Sequence, residues 1–130
     1  TSSPSFAAVT LTGTLTAASL TLADTFIGNA TTATTAGTTA TVIDSWSAST
    51  YRAAKYVISA KDPSGNVEAI EMLVTIDGSN NVYVTEYADV QSNGEIIVTD
   101  ADYSSGNVRL LVTADVASTS VKVHKVLFEA

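Results

Sequence analysis

The chain has 130 residues, no cysteine, and 13 acidic against 6 basic side chains, giving a formal net charge of −7. It cannot build a disulfide framework, a thiolate metal site or a cysteine nucleophile, and a surface so short of Lys and Arg repels the phosphates of nucleic acid. No apolar run is long enough for a membrane-spanning helix, so neither nucleic acid nor membrane is expected as a partner.

Residues 1–50 contain no Lys or Arg, and their only acids are Asp24 and Asp44. In AVTLTGTLTAASLTLADTFIG, residues 8–28, Val9, Leu11 and Leu15 share one parity. After a slip at Ala17 and Ala18, Leu20, Leu22 and Phe26 share the other. That pattern predicts two short strands with a bend or bulge between them. TTATTAGTTAT, residues 31–41, has no charge and no large apolar group other than its neighbours supply. A hairpin this poor in apolar side chains is marginal in water. Residues 1–44 are therefore expected to form an extended Thr/Ala-rich arm that gains its order elsewhere. It could stay disordered, lie on its own domain, or interlock with other copies or a partner by adding to a sheet edge. The last reading is preferred, because charge is what proteins use to stop strands from pairing. It makes Val9, Leu11, Leu15, Leu20, Leu22 and Phe26 the expected interface residues of the arm.

Residues 45–130 carry the grammar of an antiparallel sheet. KYVISAKD is followed by Pro63-Ser64-Gly65-Asn66, then by VEAIEMLVTID, in which Ile70, Met72, Val74 and Ile76 alternate with Ala69, Glu71, Leu73 and Thr75. Asp77-Gly78-Ser79-Asn80-Asn81 precedes VYVTEYADV, a hairpin signal. EIIVT, NVRLLVTA and SVKVHKVLF continue the alternation after further Ser/Asn/Gly turns. About six strands at short spacing between residues 51 and 130 predict an all-β fold, an antiparallel sandwich or barrel.

Chemistry-bearing groups are sparse. His124 is the one histidine and sits within a strand pattern, so a Ser-His-Asp arrangement would have no other base, and a zinc site would lack further ligands. Asp100, Asp102 and Gly106 echo the start of a calcium loop without its terminal Glu, and Asp77 with Asn80 and Asn81 reads as a turn. No metal, no cofactor and no catalytic residue is expected. A glycan-active enzyme would need two carboxylates in one cleft, one with a raised pKa. TYRAAKY, residues 50–56, reads first as a strand entry whose aromatics pack and whose charges face water, with Arg52 able to pair with Glu71 or Glu86; the alternative is a ligand patch of Trp46, Tyr51, Arg52 and Tyr56.

Three stretches in this order, IDSWSASTYRAAKY (43–56), EMLVTIDGSNNVYVTEYADV (71–90) and TDADYSSGNVRLLVTADVASTSVKVHKV (99–126), give the chain a resemblance. It resembles a domain recurrent in virion structural proteins of tailed phages, especially marine cyanophages, where it commonly closes tail-fibre or other appendage proteins. The resemblance implies a non-enzymatic virion protein. Because the chain shows one module and a short arm without a long shaft, the expectation drawn from it is a capsid decoration (cement) protein. Such a protein would be a homotrimer on the outer surface of the capsid, bound to the major capsid protein or another virion protein. The alternative is a tail-fibre or appendage tip module that binds a host-surface glycan or receptor.

Overall fold

The structure, a computed structural model, describes residues 8–17, 19–22, 25–29, 33–35 and 38–130. In chain order its strands are β1 (Ser19–Leu22), β2 (Thr25–Asn29), β3 (Ala33–Thr35), β4 (Thr41–Ser47), β5 (Tyr51–Lys61), β6 (Val67–Ile76), β7 (Val82–Gln91), β8 (Ile97–Ser104), β9 (Asn107–Ala114) and β10 (Thr119–Glu129). Among the described residues there is no helix. Branched and aromatic side chains fit the pleated surface of a sheet, and the six strands expected between residues 51 and 130 are β5 to β10.

The strands form an antiparallel β-sandwich. The large sheet runs β1-β2-β10-β5-β6-β7, with β3 also paired to β10, and the small sheet runs β4-β9-β8. The inward faces follow parity. From the large sheet come Ala54, Tyr56 and Ile58 of β5, Ile70, Met72 and Val74 of β6, and Val121, Val123 and Leu127 of β10. Ile43 and Trp46 of β4, Ile97 of β8, and Val108, Leu110 and Val112 of β9 meet them from the small sheet. Each buried Val, Leu, Ile or Met among them contributes about 1.5–3 kcal/mol by leaving water.

Turn chemistry fixes the hairpins. Ser105 and Gly106, between β8 and β9, both have positive φ, 50° and 85°. That is the twist a two-residue hairpin needs, and glycine adopts it without steric cost. Between β6 and β7 the Asp77 carboxylate accepts from the Ser79 and Asn81 backbone N–H groups at 2.8 and 2.9 Å.

The described arm strands do add to a sheet edge, but the edge belongs to the same chain. β2 pairs with residues 124–128 of β10, and β3 pairs with residues 119–121. The two registers differ by one residue, Asn29 facing His124 and Ala33 facing Val121. β1 continues the sheet beyond β2. The reading in which the arm is ordered only by neighbouring molecules is therefore corrected for these strands, whose main-chain hydrogen bonds are made within the chain. The expected boundary between residues 44 and 45 falls inside β4, whose Ile43 is buried in the core. Val9, Leu11, Leu15 and Leu20 are exposed. The side chains of Leu22 and Phe26 lie outside the described part, as do residues 31, 32, 36 and 37 of the Thr/Ala tract.

Candidate functional site

The four residues expected to form a ligand patch are divided by the strands that carry them. Tyr56 shares parity with Ala54 and Ile58 and is 1% exposed, and Trp46 is 4% exposed. Both belong to the core, so the strand-entry reading describes Tyr56 and the alternative of a surface patch is corrected for both: a buried aromatic ring and a ligand-stacking one look alike in sequence. Tyr51 is half-buried against the core. Arg52 is exposed and lies at the end of the sandwich.

The interior around Tyr56 holds a polar cluster that joins the two sheets. Lys125 Nζ on β10 donates to both oxygens of Asp44 on β4, at 2.8 and 3.0 Å. The Tyr56 hydroxyl donates to the same carboxylate at 2.9 Å. The Asp44 and Lys125 side chains are 8% and 10% exposed. Burial, and then the adjacent Asp44 charge, push the Tyr56 hydroxyl far above its ordinary range, so it stays protonated. Trp46 Nε1 is buried there without a hydrogen-bond partner. A cluster buried in this way ties β4 to β5 and β10 across the sandwich.

A second buried carboxylate, Glu68 of β6, accepts from the backbone N–H groups of Ile96 and Ile97 at 2.8 and 3.0 Å. It thereby fixes the crossing from β7 to β8. Burial raises its pKa, the two N–H donors oppose that shift, and Asp89 reinforces it. Glu68 shares parity with Ile70 and Met72, so the sequence signal for its burial was the strand alternation itself.

An open concavity of about 290 Å3 lies where three turns meet. It is lined by Ala48, Ser49, Arg52, Asp77, Gly78, Asn80, Tyr103 and Gly106. The β4–β5 connection supplies the first two, the β6–β7 turn supplies Asp77 to Asn80, and the β8–β9 hairpin supplies Gly106. Tyr103 stands on the inward parity of β8 with Ile97 and Ala101, but beyond the covered part of the core it is 37% exposed. Asp77 receives two backbone N–H bonds and further donations from Asn81 Nδ2 at 2.8 Å and the Tyr83 hydroxyl at 3.1 Å. These donors, that of the Asn81 side chain foremost, hold its carboxyl down at about 2. It is an anion at neutral pH and cannot act as a general acid. Arg52 takes neither expected partner: Glu71 pairs with Lys55 at 3.7 Å, and Glu86 accepts from the Thr99 hydroxyl. Among the described residues no acid pairs with its guanidinium. Sequence reasoning found Arg52 but missed Tyr103 and the turn Asp77 to Asn80 as its neighbours.

The calcium-loop echo resolves into a strand. Asp100 and Asp102 lie on β8, and Asp102 makes a bidentate pair with Arg109 across the hairpin. No group of three or more His, Asp or Glu that could hold a metal occurs among the described residues. His124 is on β10, opposite Val57.

Neither a protein-family model nor a curated protein sequence matches the chain. Two solved structures are similar to it. The tailspike protein of Acinetobacter phage vB_ApiP_P1 matches with 15% identity and a TM-score of 0.45, covering 99% of this chain and 24% of that one. The tailspike protein of Acinetobacter baumannii phage AM24 matches with 11% identity and a TM-score of 0.38, covering 82% of this chain and 26% of that one. The chain spans about a quarter of the length of each.

Proposed function

We propose that the chain is a non-catalytic structural module of a tailed-phage virion, carried on a tail appendage as a homotrimer, with its turn-bearing end presented to a host-surface glycan. The ordered set of stretches in residues 43–56, 71–90 and 99–126 supports the virion assignment. The observation that carries the tip reading is the concavity around Arg52, Tyr103, Asn80 and Ser49. Arg52, which has no ion-pair partner among the described residues, converges there with the Asp77 carboxylate, a half-exposed aromatic ring and amide and hydroxyl groups, the mixture that orients a polar ligand in a shallow site. A neutral sugar fits it, its hydroxyls accepting from Arg52 and an apolar ring face resting on Tyr103.

The capsid-decoration reading, drawn from a single module without a shaft, also gave the arm the role of docking on a lattice. β1, β2 and β3 pair within the chain's own sheet, which favours the appendage reading over an arm kept for a lattice. Immunogold labelling of virions with antibodies to the folded chain tests the location. Label on the tail is expected. Label over the head shell would restore the decoration reading, and unlabelled, intact particles would exclude a surface virion protein.

A further inference from the structure

The outward faces of the two sheets are unlike each other and complementary. On the large sheet, register places Phe128, Ala53, Thr75 and Tyr83 in one row, and Val126, Lys55, Leu73 and Thr85 in the next. Phe128, Leu73 and Tyr83 are 44%, 45% and 56% exposed, and they line an apolar depression of about 300 Å3 with Ala53, Thr75 and Thr85. Exposed apolar surface that is contiguous across four strands marks an interaction site. The same face carries Lys55, Lys61 and Lys122 against Glu71 as its acid, in a molecule of net charge −7. On the small sheet, Val42, Leu111 and Asp100 stand in one outward row, flanked by Val98, which is 54% exposed, and by the Asp102–Arg109 pair. That face is apolar with an acidic excess.

We infer that the outer face of the large sheet docks on the outer face of the small sheet of a second copy. Both halves of the contact are on one chain. The charges favour front-to-back association over the meeting of two lysine-bearing faces, since opposed potentials steer and register an interface while like ones oppose it. A front-to-back contact is heterologous, and successive copies close into a ring when the rotation permits. The inference is independent of where on the virion the chain sits.

The test uses the full chain. Light scattering at micromolar concentration is expected to give a mass that is a multiple of 13.4 kDa and that falls as salt is raised. Leu73→Glu on one face and Val98→Lys on the other should each weaken association about 30-fold or more, the effect of losing a central contact. Both positions are exposed, and unchanged melting confirms the fold; Thr85→Glu replaces Leu73→Glu if that variant does not fold. Mixing the two variants should give a heterodimer through the one intact pair of faces, and no larger species. A monomeric wild type, or association untouched by Leu73→Glu and Thr85→Glu, overturns the proposal. So does association that Leu73→Glu abolishes and Val98→Lys leaves unchanged, which would mean that two large sheets face each other.

Discussion

Lys125 and Asp44 lie 81 residues apart in sequence and close an ion pair of 2.8 Å between the two sheets. Removing one member of such a pair leaves a buried charge without its counter-charge, at a cost of about 3–5 kcal/mol. Lys125→Met is expected to lower stability by that much in urea unfolding. Replacing the whole cluster, Asp44→Leu with Lys125→Met and Tyr56→Phe, should recover most of the loss, because apolar side chains of similar volume pack without desolvating a charge or leaving the Tyr56 hydroxyl without its acceptor. A single variant as stable as wild type would show the pair to be incidental.

Three groups give the pH dependence its shape, with different signs. The Asp77 carboxyl sits at about 2 in the fold, below its ordinary 3.8, so its contribution is present above 3.8 and is lost as pH falls toward 2. Glu68 is raised above its ordinary 4.5, so the fold gains from its protonation and loses stability as pH rises from 4.5 through the folded value. Tyr56 is also raised, from 10.0; above that pH the unfolded chain releases a proton that the fold retains, and stability declines. Carboxyl titration by NMR should put Asp77 near 2 and Glu68 above 4.5. Tyr56→Phe should flatten the alkaline limb of the stability curve. An Asp77 midpoint at 3.8 would contradict the turn geometry.

Two truncations separate the arm from the sandwich. Loss of residues 1–40 leaves β4 whole and strips β2 and β3 from β10, so a folded domain with an open sheet edge is expected, and open edges pair with other chains. Loss of residues 1–44 also removes Ile43 from the core and Asp44 from Lys125. The shorter chain should then show no cooperative melt by circular dichroism, where the longer one does.

At the turn-bearing end, Arg52→Ala should weaken binding of a neutral oligosaccharide about 10- to 100-fold, the effect of losing a charge-assisted hydrogen bond. Tyr103→Ala should weaken it less. Titration followed by NMR reads both, with melting temperatures near wild type. Equal affinity in Arg52→Ala would move the ligand elsewhere.

Much of the fold was legible in the alternation of residues 51–130, because a sheet covered on one face imposes parity on every strand. β4 escaped because a register shift between Val42 and Asp44 puts Ile43 and Trp46 out of phase. β8 runs to Ser104 through TDADYS, whose acids resemble a loop until Arg109 is placed beside Asp102. The buried charges were readable in hindsight: Lys125 shares parity with Val121, Val123 and Leu127, as Glu68 does with Ile70 and Met72. The concavity was not readable, since it is assembled from turns that only the pairing of distant strands brings together.

β10 is hydrogen-bonded to β5 along one side and to β2 and β3 along the other, and it follows all of them in the chain. During synthesis the earlier strands can form local hairpins such as β5–β6 and β6–β7, but the large sheet has no centre until residues 119–129 leave the ribosome. Its assembly then waits on contacts of long sequence separation, which form slowly. Until then β2 and β5 present unpaired edges, so the interval before β10 arrives is when nascent copies are most exposed to pairing with one another.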